Sequence, residues 1–288
     1  MSTPDKDMIR ITVLGSGTSS GVPTIGCGCA TCASTDLRDN RLRPSVLVQY
    51  SGKNVLIDAT PDFRTQALRA GIGRVDAILL THAHADHILG LDDVRPLNYH
   101  QKMSIPVYGT AETFAVVRRV FQYAFDPEPS QSSAPKVELH DITDEPFELF
   151  ALQVVPILLM HGDGVTLGFR FGDAAYLTDH SEIPEASKPR LRGLDVLFLD
   201  ALRHRPHPTH STVAQSLESA RELRPRRAFF THICHDLPHA QTEAAFPDNV
   251  RLAYDGLEVE VARPDVARPD VARPEVEHPE VKHPEVKQ

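Results

Sequence analysis

The sequence predicts a mixed α/β domain in which helices cover β-sheets, and three observations support this prediction. Short runs of β-branched and apolar residues recur along the chain, each bounded by Gly, Pro, Asn or Asp, as is typical of strands. Amphipathic helical patterns lie among these runs rather than in a separate block. Hydrophobic residues make up 41% of the 288 residues, which is enough to fill a core between such layers.

The predicted strands and helices follow one another in mixed order. Strands are predicted, in chain order, at residues 9–14, 46–50, 55–57, 78–80, 154–159, 167–171, 174–177, 196–199 and 228–230. Helices are predicted at residues 63–70, 112–124 and 212–223 from the spacing of their apolar residues. Ser211 and Thr212 are both suited to cap the last helix.

The composition changes sharply at the C-terminal end. The pentad that begins at Ala262 repeats, with substitutions, five times as far as Val286. The central Pro of each pentad cannot continue a helix or a central strand. We therefore predict a folded domain over residues 8–261 and an extended, disordered tail over residues 262–288. A tail that docks a partner is the alternative.

The net charge of −9 and the pI of about 5.9 argue against a protein that holds nucleic acid by charge alone. No stable nucleic-acid binding is therefore expected, although bound cations can still recruit a small anionic substrate. The first eight residues lack the apolar run of a signal peptide, and no apolar stretch approaches about 18 residues. We predict a cytoplasmic protein without membrane association.

A dense group of metal-ligand residues follows the apolar run that ends at Leu80. The segment Thr81-His-Ala-His-Ala-Asp-His87 contains His82, His84, Asp86 and His87. Hydrophobic packing gives no reason to place these groups together, because each costs free energy when it is buried without a partner. Zinc, manganese or iron gives a reason, since these metals accept imidazole and carboxylate ligands together.

Three later residues of ligand type also stand just after predicted strands. They are His161, Asp179 and His232. Loops at one edge of a sheet scaffold are where such groups can converge. The sequence therefore predicts a metal site built from several strand ends.

The order of these residues resembles the metallo-β-lactamase superfamily over residues 8–261. The resemblance implies an αββα sandwich with two divalent metals, zinc or manganese with iron as a further option. It implies that His82, His84 and His161 bind one metal and that Asp86, His87 and His232 bind the other. Asp179 would bridge the two metals and counts among the catalytic residues. Asp58, at the end of a predicted strand, resembles the carboxylate that orients a ligand histidine in this superfamily.

Cys27, Cys29 and Cys32 form a second metal signal, a Cys-x-Cys-x-x-Cys motif. Three of the four cysteines lie within six residues, which in a reducing compartment favours metal over disulfide. A closed tetrahedral zinc site needs a fourth ligand, and His235 is the best candidate. The motif and a histidine just after the last metal ligand resemble the PhnP family of cyclic ribose-phosphate phosphodiesterases, where they form a structural zinc site.

His210 is the candidate general acid. Phosphodiester cleavage needs a proton for the leaving alkoxide, and a histidine can supply it near neutral pH. His210 precedes the predicted helix at 212–223 and resembles the catalytic histidine of the family. His204 and His207, in the same loop, are expected at the surface. No site role is expected for His100, His140, His180 and His239.

The leading functional prediction is a metal-dependent phosphodiesterase that acts on small phosphodiesters, including cyclic ribose phosphates. A hydroxide bound by two metals would attack and His210 would protonate the leaving group. Residues 21–24 and 210–212 also resemble ribonuclease Z, but the chain is acidic and lacks an obvious basic insertion for RNA. Residues 59–64 resemble the pyrroloquinoline-quinone biosynthesis protein B family, so a non-catalytic accessory role is the third alternative. Relatives of that type lack an intact His-x-His-x-Asp-His motif, whereas this chain retains every ligand, which favours an enzyme. A homodimer is expected from the resemblance.

Overall fold

Two seven-stranded sheets pack face to face in the computed structural model of the chain, which describes residues 7–126 and 133–264. The first sheet has the strand order β14-β1-β2-β3-β4-β5-β6. Its strands are β1 (Met8–Gly15), β2 (Ser45–Tyr50), β3 (Lys53–Ile57), β4 (Ala77–Leu79), β5 (Ile105–Gly109), β6 (Val137–Asp141) and β14 (Glu258–Ala262).

The second sheet has the strand order β13-β12-β11-β10-β9-β8-β7. Its strands are β7 (Phe147–Leu149), β8 (Leu152–His161), β9 (Gly164–Phe171), β10 (Ala174–Leu177), β11 (Val196–Asp200), β12 (Arg227–Thr231) and β13 (Val250–Leu252). The helices are α1 (Phe63–Arg69), α2 (Ala85–Ile88), α3 (Arg95–Gln101), α4 (Ala111–Val120), α5 (Gln122–Phe125), α6 (Val213–Leu223) and α7 (His239–Glu243). Short 3₁₀ helices cover Leu37–Asp39, Leu89–Val94 and Lys188–Leu191.

Three hydrophobic layers hold these elements together. The central layer joins the inner faces of the two sheets, for example through Val48 and Phe169. A second layer packs α1 and α4 on the first sheet through Phe63 and Phe114. A third packs α6 on the second sheet through Val213 and other buried residues. This arrangement is the predicted αββα sandwich, so the predicted fold class is confirmed.

The strands predicted from the sequence are all present; residues 174–177 match β10 at both ends, and the others differ by a residue or more at one or both ends. The sequence patterns did not reveal β5, β6, β7, β13 and β14, two of which are only three residues long. The single helix predicted at 112–124 is wrong in detail, because it breaks at Phe121, where φ is −107° and ψ is 37°. Capping of α6 by Thr212 is confirmed: its side chain accepts from the Gln215 amide, and the Gln215 side chain accepts from the Thr212 amide.

The C-terminal boundary also differs slightly from the prediction. β14 runs to Ala262, the first residue assigned to the tail, and pairs with β1. The rest of the predicted tail, residues 265–288, lies outside the described residues. None of the helices in the described ranges is long and apolar enough to cross a membrane.

The strand directions place the functional residues at one edge. β3 and β4 run parallel in the first sheet, and β10, β11 and β12 run parallel in the second. Parallel strands end at the same edge of a sheet, where ligand sites of such sheets commonly lie. The predicted metal ligands lie at the carboxyl end of β8 or follow the carboxyl ends of β4, β10 and β12.

Candidate metal centre

Three of the strand-end residues adopt a left-handed backbone conformation. The φ angles are +62° at Asp58, +52° at Asp179 and +58° at His232. Non-glycine residues with positive φ are uncommon, and such strain concentrates at functional sites. At each of these positions the backbone turns away from the strand direction, and a buried polar side chain lies at the sheet edge.

The seven predicted metal ligands converge into two clusters. The first ligand cluster consists of His82, His84, His161 and Asp179, and the second of Asp86, His87, Asp179 and His232. Within each cluster the ligand atoms lie within 4.8 Å of one another. Asp179 belongs to both clusters, as the predicted bridge requires.

The Asp179 carboxylate lies between histidines of the two clusters. Its Oδ1 is 4.0 Å from His82 Nε2 and 3.3 Å from His232 Nε2. Its Oδ2 is 3.3 Å from His87 Nε2 and accepts from the Thr178 hydroxyl at 2.6 Å. The two oxygens of Asp179 therefore lie near different histidines.

The ligand atoms fit divalent cations. In the described part of the chain, His82 Nε2, His87 Nε2 and His232 Nε2 are buried and have no hydrogen-bond partner. Buried polar atoms without partners are rare because each costs free energy, so several at one point need an explanation. A set of imidazoles and carboxylates suits zinc, manganese or iron, and cations there would satisfy the nitrogens.

Neighbouring groups fix the orientation of the ligand histidines. Asp58 is fully buried, and its Oδ2 accepts from His87 Nδ1 at 2.7 Å, which confirms the predicted contact of this carboxylate with a ligand histidine. The Thr81 hydroxyl donates to Asp58 at 2.9 Å and is 3.0 Å from His82 Nδ1. His161 Nδ1 donates to the Thr209 carbonyl at 2.7 Å. Each contact leaves Nε2 of the histidine for a metal.

The pKa shifts of the histidines run in opposite directions in the two clusters. Burial, together with the neighbouring His87, lowers the pKa of His82 well below its ordinary value, and burial lowers the pKa of His161 to about 4. Burial alone would lower the pKa of His232, but the Asp179 and Asp86 carboxylates raise it to about 9. The Asp179 and Asp86 carboxylates therefore favour positive charge beside them, a role that bound cations would take.

A carboxylate and a histidine form a pair beside the second ligand cluster. Asp200 is fully buried at the end of β11, and its Oδ2 accepts from His210 Nδ1 at 2.6 Å. The His210 ring stacks on His232 with centroids 4.5 Å apart and meets the edge of His161 at 4.8 Å. The candidate acid therefore lies against one histidine of each cluster.

Sequence reasoning missed Asp200, although a signal was present. Asp200 directly follows the apolar run 196–199, so it obeys the same strand-end rule as Asp58 and Asp179. Sequence reasoning also underestimated His180, which is buried, with Nδ1 3.1 Å from the Ser211 hydroxyl. His207, expected at the surface, is half-buried and lies 5.1 Å from the His210 ring.

The cysteine site lies apart from the two ligand clusters and comprises Cys27, Cys29, Cys32 and His235. His235 Nδ1 is 3.2 Å from Cys27 Sγ and 3.5 Å from the other two sulfur atoms. The Cys32 amide and other hydrogen bonds lower the pKa of the Cys29 thiol to about 6, which favours the thiolate that zinc requires. Three sulfurs and one imidazole nitrogen match a closed zinc site.

Arg41 joins the segment of the cysteine site to the loop that carries His232 and His235. Its guanidinium is buried, donating from Nη1 to the Cys234 carbonyl at 2.9 Å. Nη2 donates to the Leu237 carbonyl at 2.7 Å and to Asp39 Oδ1 at 3.0 Å. Cys234 itself lies outside the cysteine site.

Comparisons with known proteins match the whole domain. Residues 53–233 match the family described as a beta-lactamase superfamily domain. The crystal structure of a diphosphatase from the PhnP family is 54% identical, with a TM-score of 0.84; the match covers 88% of this chain and 97% of that one.

Two curated relatives are longer proteins, and only part of each matches this chain. An octanoyltransferase of Porphyromonas gingivalis is 38% identical over 254 residues, which are 87% of this chain and 51% of that protein. A ribonuclease Z of Bradyrhizobium diazoefficiens is 35% identical over 117 residues, which are 39% of this chain and 34% of that protein. The chain therefore spans about half or less of the length of these relatives.

Proposed function

Because this chain belongs to the beta-lactamase superfamily and, within it, to the PhnP family, we propose that it hydrolyses small phosphodiesters and diphosphates with the help of two divalent cations. It is a hydrolase of this superfamily. The observation that carries the proposal is the position of Asp179, which belongs to both ligand clusters, next to the Asp200–His210 pair.

The two ligand clusters would each hold one cation, zinc, manganese or iron, with Asp179 common to both. When bound, the cations would supply Lewis-acid stabilisation of phosphoryl charge and an activated water. The protein's own contribution is to fix the ligands through Asp58, Thr81 and Thr209 before substrate arrives. The cysteine site would hold a structural zinc ion.

His210 would act as the general acid. Its Nδ1 is occupied by Asp200, so Nε2 is the nitrogen that can carry a proton to the substrate. The Asp200 carboxylate holds the ring in one orientation, with Nε2 turned away from the contact. During hydrolysis the bond between phosphorus and the leaving oxygen breaks, and water supplies the new oxygen and gives up one proton to solvent. The His210 proton moves to the leaving oxygen, and His210 then takes up a proton from solvent.

The proposal includes diphosphates because the phosphorus atom attacked in a diphosphate resembles that of a phosphodiester. In a diphosphate esterified at both ends, each phosphorus carries two bridging oxygens, as the phosphorus of a phosphodiester does. The similar PhnP-family protein is called a diphosphatase, which supports the inclusion of this substrate class. Cyclic ribose phosphates remain within the proposed range.

Partners and location follow from the same reasoning. We infer a small-molecule substrate, a cytoplasmic location and a homodimer, with neither nucleic acid nor membrane as a stable partner. The net charge of −9 supports the exclusion of nucleic acid. A ribonuclease Z activity is the alternative enzyme.

A substrate panel tests the proposal. Protein stripped of metal with a chelator and then loaded with zinc or manganese is assayed on the p-nitrophenyl ester of thymidine monophosphate, diadenosine diphosphate, a cyclic ribose phosphate and a precursor transfer RNA. Turnover of the small substrates that depends on added metal supports the proposal. Cleavage of the transfer RNA alone would favour the alternative enzyme, and an inert, fully metal-loaded protein would favour an accessory role.

A further inference from the structure

A short cationic loop lies next to the candidate acid and has no role in the chemistry described above. The cationic loop comprises residues 203–207 and contains Arg203, Arg205 and His207. It follows β11 and leads to His210 through Thr209. The described structure accounts for one of its two arginines, because Arg205 pairs with Asp236 at 2.8 Å.

Arg203 is the cation of this loop that lacks an anionic partner. Its Nε donates to the Arg205 carbonyl at 3.2 Å and its Nη2 to the Pro206 carbonyl at 3.0 Å. Over residues 7–126 and 133–264, no carboxylate forms an ion pair with it. These contacts hold the guanidinium in place within its own loop and leave its charge available to an anion from outside.

His207 presents a single free hydrogen-bond donor. The Thr209 amide, which can only donate, reaches His207 Nδ1 at 3.4 Å, and the Thr209 hydroxyl lies 3.2 Å from the same nitrogen. His207 Nδ1 is therefore the acceptor, and the ring proton resides on Nε2. Within the described ranges, Nε2 has no hydrogen-bond partner.

The position of His207 relative to His210 indicates which part of a substrate the cationic loop could contact. The His210 ring is 4.5 Å from His232 and 4.8 Å from His161 on the side of the ligand clusters, and 5.1 Å from His207. His207 makes no ring contact with a predicted metal ligand in the described part of the chain. His207 therefore contacts the candidate acid, and a leaving oxygen that His210 protonates would lie near His207.

We propose that His207 and Arg203 bind an anionic phosphoryl group in the leaving half of the substrate. The proposal rests on the proposed hydrolysis and deepens it, because it selects substrates with a second phosphoryl group beyond the bond that breaks. In a diphosphate, the oxygen that His210 protonates belongs to a departing monophosphate, whose charge would meet Arg203 and the Nε2 donor of His207. Substrates that release a neutral alcohol or phenol would gain nothing from these two residues.

Two substitutions of His207 separate contact from loop structure. His207→Asn keeps an acceptor for Thr209 but removes the Nε2 donor, whereas His207→Gln can restore a donor at the position of Nε2. Arg203→Gln removes the unpaired charge. Arg221→Ala, at an exposed arginine that pairs with Glu218 on α6, is the matched control for loss of one positive charge.

The experiment compares two substrates in the metal-loaded full chain. Diadenosine diphosphate releases a monophosphate, and the p-nitrophenyl ester of thymidine monophosphate releases p-nitrophenol. In His207→Asn and Arg203→Gln, the ratio of kcat/KM for the first substrate to kcat/KM for the second should fall about tenfold, mostly through KM, as expected for a lost charge-assisted hydrogen bond. His207→Gln should recover part of that loss, and Arg221→Ala should leave the ratio unchanged.

Equal losses on both substrates would show that the loop only maintains structure. An unchanged kcat/KM on both substrates would show that the loop does not contact the leaving half. Either result overturns the proposal. Equilibrium binding of adenosine monophosphate to the metal-loaded protein provides a readout that does not need turnover. If the wild-type protein cleaves neither substrate, the proposed hydrolysis fails. The binding proposal then stands only if His207→Asn weakens adenosine monophosphate about tenfold, and it fails if affinity is unchanged.

Discussion

Asp200 Oδ2 lies 2.6 Å from His210 Nδ1. The Asp200 carboxylate is fully buried at the end of its strand. The short contact joins the last residue of β11 to a residue that precedes α6, so it closes the connection that includes the cationic loop. It also determines which ring nitrogen faces the metal clusters. A histidine without this partner could rotate or change tautomer, and its proton would then be misplaced.

His210→Ala should lower kcat on an alkyl diester about 100-fold or more, the usual contribution of a general acid. Asp200→Asn should lower it less, because the imidazole remains. Both losses should shrink with a p-nitrophenyl substrate, since that leaving group needs no proton. Steady-state kinetics on the two substrates, with metal content measured in parallel, checks this prediction. The exposed neighbour His204→Ala is the control; a loss independent of the leaving group would argue against the acid role.

Asp58→Asn should weaken metal binding at the second ligand cluster about 10- to 100-fold, the usual effect of losing a carboxylate that orients a ligand histidine. The asparagine can keep the left-handed backbone at this position and the contact with the Thr81 amide, but it lacks the second anionic oxygen. Competitive titration with a metal chelator measures the affinity. Asp76→Asn, at the opposite end of β4, is the matched control, and equal weakening in both variants would contradict the prediction.

Cys29→Ser should remove about one zinc ion per chain and lower the melting temperature, because a structural zinc site contributes folding free energy directly. Elemental analysis and thermal denaturation provide the measurements. Cys234→Ala is the control, since the Cys234 thiol lies outside the cysteine site and its sulfur accepts only from the Asp236 amide in the described structure. Unchanged zinc content in Cys29→Ser would show that the cysteine site does not bind the metal.

Asp76→Asn should destabilise the fold by about 1–2 kcal/mol at pH 7 through its lost charge-assisted hydrogen bonds. Burial alone would raise the pKa of Asp76, but the hydrogen bonds from Arg74 and the Asn54 amide hold it below the ordinary value of 3.8. Because the folded-state pKa is depressed, the stabilisation is complete above the unfolded value and is lost as pH falls through the folded value. The difference from wild type in the free energy of unfolding should therefore shrink below about pH 4.

Urea denaturation at several pH values measures that difference. The exposed Asp248→Asn is the control and should show little effect at any pH. A penalty for Asp76→Asn that persists undiminished at pH 3 would contradict the argument, because protonated aspartic acid and asparagine are then close in charge.

Much of the site could be predicted because its ligands are marked locally. His82 to His87 are nearly contiguous, and Asp179 and His232 each follow an apolar strand, so residue type and position suffice to find them. Asp200 was missed because an aspartate after a strand is also a common turn residue, and only its contact with His210 distinguishes it. The burial of His180 depends on packing against Ser211, which lies 31 residues away and leaves no local pattern.

The fold shows the same division. The alternating pattern of β14 was present in the sequence, with Val259 and Val261 facing inward, but its partner β1 lies at the other end of the chain. Pairing across such a separation depends on the whole fold rather than on local propensity. The three-residue strands β7 and β13 are too short to show a period at all.

His232 and His235 stand only three residues apart on one loop. Arg41 stabilises this loop by donating a hydrogen bond to the Cys234 carbonyl. A cation at the cysteine site and a cation at the second ligand cluster would therefore order the same stretch of backbone. Whichever arrives first would spare the other that entropic cost, and by reciprocity each would tighten the other's binding. Metal loading of the chain should then be cooperative, with partly loaded species scarcer than independent sites would give.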